Sequence, residues 1–186
     1  MTSELITPPA RLAVSLELAR KNLKVDGTYM DDLITMWVEG IVEVAQHELG
    51  RSLIHQGRRL TLDGFPNAVK LDQPPLASVE SVKFYDVDGQ LRTLAPSDYT
   101  VDRVKLPGWV VPAPGRAWPA TQGCIGAVIV EYTCGYGAAP GSVPKSVQLY
   151  ILAKLVEQFD PATRAERDTV QSSFVDRLLD ACRTYA

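Results

Sequence analysis

The chain of 186 residues has the length of one domain, or of one domain with an insertion. Hydrophobic residues make up 46% of it and charged residues 22%, which excludes a mainly disordered protein. The formal net charge of −3 disfavours a free-standing nucleic-acid binder, because such proteins hold phosphates with an excess of Lys and Arg. Apolar runs are too short to span a bilayer and the N-terminus does not read as a secretory signal, so no membrane partner is expected.

The first third of the sequence is acidic and has helical spacing. Residues 1–50 carry four Lys or Arg against eight Asp or Glu. Ser15 is a candidate N-cap for a short helix that ends at Leu23. A longer helix is predicted from about residue 29 to Leu49, with Gly50 closing it. Its predicted core stripe comprises Leu33, Ile34, Trp37, Ile41, Val44, Ala45 and Leu49.

The middle of the sequence reads as short strands joined by turns. Nine of the thirteen prolines and ten of the thirteen glycines lie in residues 51–143. Turn residues such as Asp86–Gly89 separate the segments, which favours antiparallel pairing over parallel βαβ units. The predicted strands lie within residues 53–62, 69–71, 79–87, 91–94, 98–104, 109–112 and 127–133.

Helical spacing returns at Pro144 and continues to Phe159. Asp160-Pro161 interrupts it, and a last amphipathic helix is predicted over 171–184. The pattern predicts an α+β fold: a helical bundle from the N- and C-terminal thirds with an inserted antiparallel β-rich region. The predicted parts are N-terminal helices over 1–52, the β-rich insertion over 53–143, and C-terminal helices over 144–186 that complete the bundle.

A search for catalytic patterns finds none that is complete. The loop Gly135–Gly141 joins a strand to a helix, but its glycines are not spaced as in a dinucleotide loop and no second strand follows. His47-Glu48 begins like a zinc-protease motif, but Arg51 stands where its second histidine would be. We therefore expect no enzyme activity, no cofactor and no metal, and a protein built for contacts.

Several segments taken together resemble the head–tail connector, or adaptor, proteins of long-tailed bacteriophages and of phage-derived gene transfer agents. The likeness covers about residues 11–160. The segments in chain order are LELARKNLKVD from Leu16, DDLI from Asp31, ELGRSLI from Glu48, LTLDGFP from Leu60, PLASVESV from Pro75, YDVDG from Tyr85, PSDY from Pro96, WP from Trp118, and VEYTCGYG from Val130.

The resemblance implies a structural virion protein at the head–tail interface, assembled in the cytoplasm of a bacterial host. It implies a homo-oligomeric ring, commonly of twelve subunits, beneath the portal protein. Such a ring extends the DNA channel without reading DNA sequence, and it carries a head-completion (stopper) or tail protein. An acidic N-terminal third facing that channel would keep DNA from adhering to the wall. The apolar residues Phe174, Val175, Leu178 and Leu179 predict that residues 161–186 dock either on another chain or on the bundle of their own chain. The resemblance favours the first of these, with the portal as the partner.

Contact residues are predicted among exposed aromatic and apolar side chains. The candidates are Trp109, Trp118, Tyr136, Phe174 and Leu178. Two alternative functions remain at this point: a DNA-binding regulator of phage origin with a helix-turn-helix in residues 15–49, and a nucleotide-binding enzyme that uses the Gly135–Gly141 loop. The first is disfavoured because the helix from Asp31 to Leu49 contains no Lys or Arg.

Overall fold

The computed structural model describes residues 3–160 and 173–183. The chain forms two units, each assembled from separate stretches of sequence. Met1–Pro9 and His55–Tyr136 make up the β unit, and Ala10–Ile54 with Gly137–Ala186 make up the helical unit.

The β unit contains two antiparallel sheets. The larger sheet has the strand order β1-β2-β8-β4-β5, and the smaller has the order β3-β7-β6. The strands are β1 Glu4–Thr7, β2 Gln56–Leu62, β3 Val69–Leu71, β4 Leu76–Tyr85, β5 Leu91–Thr93, β6 Tyr99–Asp102, β7 Gly108–Pro112 and β8 Val128–Cys134. The prediction of antiparallel pairing between short strands is confirmed, because every strand pair in the described residues is antiparallel.

One apolar core is shared by both sheets. Strand β8 alternates strictly, with every second side chain buried, so one of its faces belongs to this core. The core residues are Leu60, Leu62, Val69, Leu71, Leu76, Val82, Phe84, Val110, Val128, Val130, Tyr132 and Cys134. Gly108 on β7 allows the two sheets to meet closely, because a Cβ there would lie 2.6 Å from Leu76 Cδ2.

The helical unit contains α1 Leu16–Leu23, α2 Asp31–Leu49, α3 Lys145–Phe159 and the short α4 Ser173–Arg177. Helices α1, α2 and α3 contact one another, and α4 contacts α3. The predicted N-cap is confirmed, since Ser15 Oγ accepts a hydrogen bond from Leu18 N at 3.2 Å. Gly50 ends α2 at a φ of 61°, a left-handed conformation that favours glycine.

The predicted core stripe of α2 is partly wrong. The buried side chains are those of Ile34, Val38, Ala45 and Leu49. Trp37 is half-buried, with its ring edge-on to Phe159 at 6.3 Å between centroids. Leu33 and Val44 are exposed. Because α2 carries apolar residues on two faces, hydrophobic spacing alone does not show which face is inside.

The predicted architecture, a helical bundle carrying a β-rich insertion, is also wrong. Eight strands in two antiparallel sheets dominate the described residues, so α+β holds only as a coarse description. The N-terminal third itself supplies a strand, because β1 pairs with β2. The described part of the helix predicted over 171–184 is helical only at Ser173–Arg177 and continues as a 3₁₀ turn at Asp180–Cys182.

Candidate interaction surfaces

A hairpin in the smaller sheet presents basic and apolar side chains together. Strands β6 and β7 are joined by Arg103–Pro107, and its residues Arg103, Val104, Lys105 and Leu106, here called the basic tip, are all exposed. Val104 is 92% exposed. Asp102 Oδ1 accepts hydrogen bonds from Val104 N at 2.9 Å and Lys105 N at 3.2 Å, so the start of the loop has a defined conformation.

The same hydrogen bonds favour the charged form of Asp102. The N–H groups of Lys105 and Val104 hold the pKa of the Asp102 carboxyl below its usual range. The Lys105 ammonium is 3.7 Å from that carboxylate but is largely exposed, and Arg103 has no ion-pair partner among the described residues. The basic tip therefore keeps cationic groups available in solvent.

Trp109 lies next to the basic tip. It is directly opposite Asp102 on β6 and Lys70 on β3, so these three side chains share one face of the smaller sheet. That face is turned away from the core, because Gly108 and Val110 on either side of Trp109 are buried. Trp109 itself is half-buried, which leaves part of its ring accessible for contact.

The second surface is the solvent side of α2. Leu33, Met36, Gly40 and Val44 recur at spacings of three and four and lie on one helix face, here called the outer stripe. Met36 is 59% exposed and Val44 is 54% exposed. A long helix with a second apolar face is unusual for a surface element, since that face is normally polar.

Carboxylates flank the outer stripe. Asp32, Glu39, Glu43 and Glu48 are exposed and have no ion pair among the described residues. Asp31, by contrast, has an ion pair, because its Oδ1 lies 3.7 Å from Arg20 Nε. The outer stripe is therefore an apolar surface bordered by negative charges, whereas the basic tip combines apolar residues with positive charges.

Two predicted contact residues lie elsewhere in the β unit. Trp118 stacks on Phe65 with 4.5 Å between ring centroids and 9° between planes, and it packs against the core. Its indole Nε1 is buried without a hydrogen-bond partner in the described residues. Tyr136 is half-buried and follows β8 by two residues.

The remaining two candidates lie at the C-terminal end of the helical unit. Phe174 on α4 is 67% exposed, and Leu178 is half-buried. Val175 and Leu179 from the same apolar face are buried in the chain itself. Of the predicted portal-docking segment, residues 161–172 and 184–186 lie outside the described residues.

A charged network covers the outward face of the larger sheet. Glu131 on β8 accepts hydrogen bonds from Arg59 on β2 at 2.8 Å, and from Lys83 and Ser81 on β4, both at 3.1 Å. The Arg59 guanidinium and the Lys83 ammonium lower the pKa of the Glu131 carboxyl to about 2. Because each polar group in this network is used by another strand, we assign it a structural role.

A second network joins the N-terminal segment to both sheets. Ser3 N donates to Asp72 Oδ2 at 2.9 Å, and the phenol of Tyr132 donates to Asp72 Oδ1. Arg58 Nη2 donates to Ser3 O at 2.8 Å. Burial would raise the pKa of Asp72, but the hydrogen bonds from Ser3 and Tyr132 outweigh it and lower that pKa. Burial and the bond to Asp72 raise the pKa of Tyr132.

The loop that suggested nucleotide binding is filled by its own chain. The hydrogen atoms of Gly137 face Ser142, whose side chain occupies the space a Cβ would need. Gln148 Nε2 donates to Pro140 O and to Val143 O, both at 2.8 Å. Helix α3 begins only at Lys145. Tight packing within the bend therefore accounts for the glycine at position 137.

Two further tests concern metals and membranes. Within residues 3–160 and 173–183, no three His, Cys, Asp or Glu side chains are grouped as a metal site would require. No helix in the same residues is both long enough and apolar enough to cross a membrane.

Sequence reasoning missed both the basic tip and the outer stripe. The signal for the tip is the run Arg103-Val104-Lys105-Leu106, in which cationic and aliphatic residues alternate inside a turn. The signal for the stripe is Gly40 in the middle of a strong helix, which has no capping role there.

Comparison with known proteins identifies the fold. No protein-family model matches the sequence, and no curated protein matches it. A chain from the neck of an empty GTA particle, computed with C6 symmetry, is similar with a TM-score of 0.79 at 16% identity. A chain from the neck of a native GTA particle, computed with C12 symmetry, gives 0.76 at 17% identity, and one from the virion of a native gene transfer agent (GTA) particle gives 0.75 at 17%.

Each likeness covers 100% of this chain and 97% of the other chain. The similarity therefore extends over both units and is not a match of one sheet or one helix pair. At these identities it shows that the chain has the fold of those neck and virion chains.

Proposed function

We propose that the chain is a structural virion protein of a phage-type neck, a head–tail connector or adaptor that acts as a ring of copies. The observation that carries the proposal is the fold likeness over the full chain to neck chains of gene transfer agent particles. One of those necks was computed with C12 symmetry, which supports a ring of twelve. A structural role also fits the polar networks around Glu131 and Asp72, whose hydrogen bonds connect strands and the N-terminal segment.

The partners follow from the position of such a ring. It lies beneath the portal protein in the virion, surrounds the DNA channel without reading sequence, and supports a stopper or tail protein. The net charge of −3 per chain is consistent with DNA that passes and does not bind. Assembly takes place in the host cytoplasm.

The test is the size and shape of the full-length protein, alone and mixed with the portal protein of the same particle. Native mass spectrometry is expected to show a species of about 245 kDa, twelve times the 20.4 kDa of one chain, alone or as an addition to the portal. Electron microscopy of the same sample should show a ring with a central opening. A protein that stays monomeric in both samples and never sediments with portal or particles would contradict the proposal.

Phe174 is the contact that we assign to the portal. Its ring is mostly exposed, whereas Val175 and Leu179 beside it are buried in the chain itself. Phe174→Ser is expected to leave the melting temperature unchanged and to abolish portal binding in a pull-down. Leu179→Ser is the matched control, because it removes a buried side chain and should lower the melting temperature. Portal binding that survives Phe174→Ser would show that another segment makes this contact.

A further inference from the structure

Gly40 has no packing neighbour at its Cβ position among the described residues. Glycine in the middle of a helix is destabilising relative to alanine, so it normally marks a close approach or an unusual backbone conformation. Among the described residues neither is present: the residue is helical, and a Cβ built on it would meet no atom of them within 4 Å. We therefore take Gly40 as a position at which another copy approaches the helix.

The outer stripe around Gly40 is apolar, and its borders are negative. Leu33, Met36 and Val44 leave aliphatic side chains in solvent, which is costly unless another surface covers them. Glu39 and Glu43 flank Gly40 and have no ion pair among the described residues. The occupant of this strip must therefore combine apolar contact with positive charge.

The basic tip is an exposed element with that combination. Leu91 also lies next to a cation, but Arg92 Nε is 2.8 Å from Asp86 Oδ2, whereas Arg103 of the tip has no ion pair among the described residues. The basic tip has Val104 and Leu106 as aliphatic groups, with Arg103 and Lys105 next to them. Other highly exposed aliphatic residues lack the charge: Ile125 lies among uncharged neighbours, and Val87 lies between Asp86 and Asp88. The basic tip and the outer stripe are thus complementary in charge and both apolar, and they belong to different parts of the same sequence.

Resting on the ring proposed above, we propose that the basic tip of one copy docks on the outer stripe of the next copy. A closed ring needs such a heterologous contact, in which two different surfaces of neighbouring copies meet. The same rotation then relates each copy to the next until the ring closes. Val104 enters the gap left by Gly40 between Met36 and Val44, and Arg103 and Lys105 pair with Glu39 and Glu43. Along the helix this gap is about 12 Å long, which accommodates a hairpin whose strands are about 5 Å apart.

Cysteine cross-linking tests the contact directly. Of the three cysteines, Cys134 and Cys182 are buried and Cys124 is half-buried, so Cys124→Ser removes the accessible native thiol. In that background, the double variant Met36→Cys with Val104→Cys is oxidised under the conditions in which rings form. We expect a ladder of disulfide-linked multimers on a non-reducing gel. A mixture of the two single variants should stop at dimers. Met36→Cys with Ile125→Cys is the control, because Ile125 is 93% exposed, as accessible as Val104, but lies on a different loop.

A charge exchange tests the pairing. Lys105→Glu or Glu43→Lys alone is expected to weaken association about tenfold in dissociation constant, and the two together to restore it. Circular dichroism of each variant verifies that it folds. As a control, Lys70→Glu changes a basic residue outside the tip. Combined with Glu43→Lys, it should not restore association.

The outcomes separate this proposal from the proposed function. If the wild-type protein forms rings but the 36/104 pair cross-links no better than the 36/125 pair, the tip–stripe contact is wrong and the ring function stands. Rings that tolerate Glu43→Lys would likewise overturn the contact and return the acids of α2 to solvent or to the channel wall. A wild-type protein that forms no ring, alone or on the portal, contradicts the proposed function itself.

Discussion

Arg59 and Glu131 lie directly opposite each other on β2 and β8, and Arg59 Nη2 is 2.8 Å from Glu131 Oε1. Lys83 on the other neighbouring strand approaches the second carboxylate oxygen at 3.1 Å. A single carboxylate in the middle strand therefore connects three adjacent strands on the outward face, while the apolar core holds them together on the other.

Stability should fall in acid because of this carboxylate. The pKa of Glu131 is lowered from an ordinary 4.5 to about 2, so its contribution is complete above about pH 5 and is lost as the pH falls through about 4 towards 2. Glu131→Gln is expected to cost about 1–2 kcal/mol at pH 7, a value reduced by the partial exposure of Arg59, and much less at pH 2. Urea unfolding at both pH values measures this.

Glu80→Gln is the matched control for that measurement. Glu80 lies on the neighbouring strand β4 and accepts hydrogen bonds from Ser78 and Thr133, but it has no ion pair among the described residues. Its substitution should change stability by less than about 0.5 kcal/mol. An equal loss from both variants would show that the network around Glu131 adds nothing beyond a hydrogen bond.

Removing the hydroxyl of Tyr132 tests the second network. Tyr132→Phe leaves the half-buried Asp72 without one of its donors and is expected to lower the free energy of unfolding by about 1–2 kcal/mol. Tyr85→Phe serves as the comparison, because no partner contacts the Tyr85 hydroxyl among the described residues. Equal stability of Tyr132→Phe and the wild type would contradict the importance of this bond.

Gly108 is predicted to tolerate no side chain. In Gly108→Ala the new Cβ would lie 2.6 Å from Leu76 Cδ2 and 2.8 Å from Leu76 Cβ, so the two sheets must shift apart. We expect a loss of about 1–3 kcal/mol in thermal or urea unfolding. Gly123→Ala, at a site with nothing within 4 Å and no positive φ, should change little. A neutral Gly108→Ala would mean that the sheets separate without cost.

Gly40→Ala should act in the opposite direction on the monomer. The Cβ meets no atom of residues 3–160 or 173–183 within 4 Å and alanine is the better helix former, so a gain of about 0.5–1 kcal/mol is expected under conditions that keep the protein monomeric. Gly137→Ala, where Ser142 is in the way, should lower stability in the same assay. Sedimentation of Gly40→Ala should then show weaker assembly despite the stabler subunit.

Much of the secondary structure follows from the sequence, but the architecture does not. Capping by Ser15, the left-handed Gly50 and the alternation of β8 are local signals and were predicted correctly. The strand β1 was missed because all four of its side chains are exposed, so it has no alternation. Without β1 the N-terminal third looked wholly helical, which made the bundle the simpler interpretation.

The interaction surfaces were harder to predict, because sequence spacing does not show which apolar residues are buried. Leu33 and Val44 have the same spacing as the true core residues Ile34 and Ala45, one position away, and only burial distinguishes them. Trp118 stays a predicted contact residue, and its half-buried ring is stacked on Phe65, which the sequence did not indicate. Sequence gives the amphipathic period of an element, whereas the side that faces inward depends on neighbours distant in the chain.

The position of β8 also determines when the larger sheet can exist during synthesis. β8 lies between β2 and β4, yet it is the last of the five strands to leave the ribosome. Until Cys134 has emerged, β1 with β2 and β4 with β5 are two separate ribbons, and an isolated two-stranded ribbon is only marginally stable. The nascent chain therefore carries two ribbons with open edges until β8 has emerged, and the larger sheet forms late, in one step that its central strand completes.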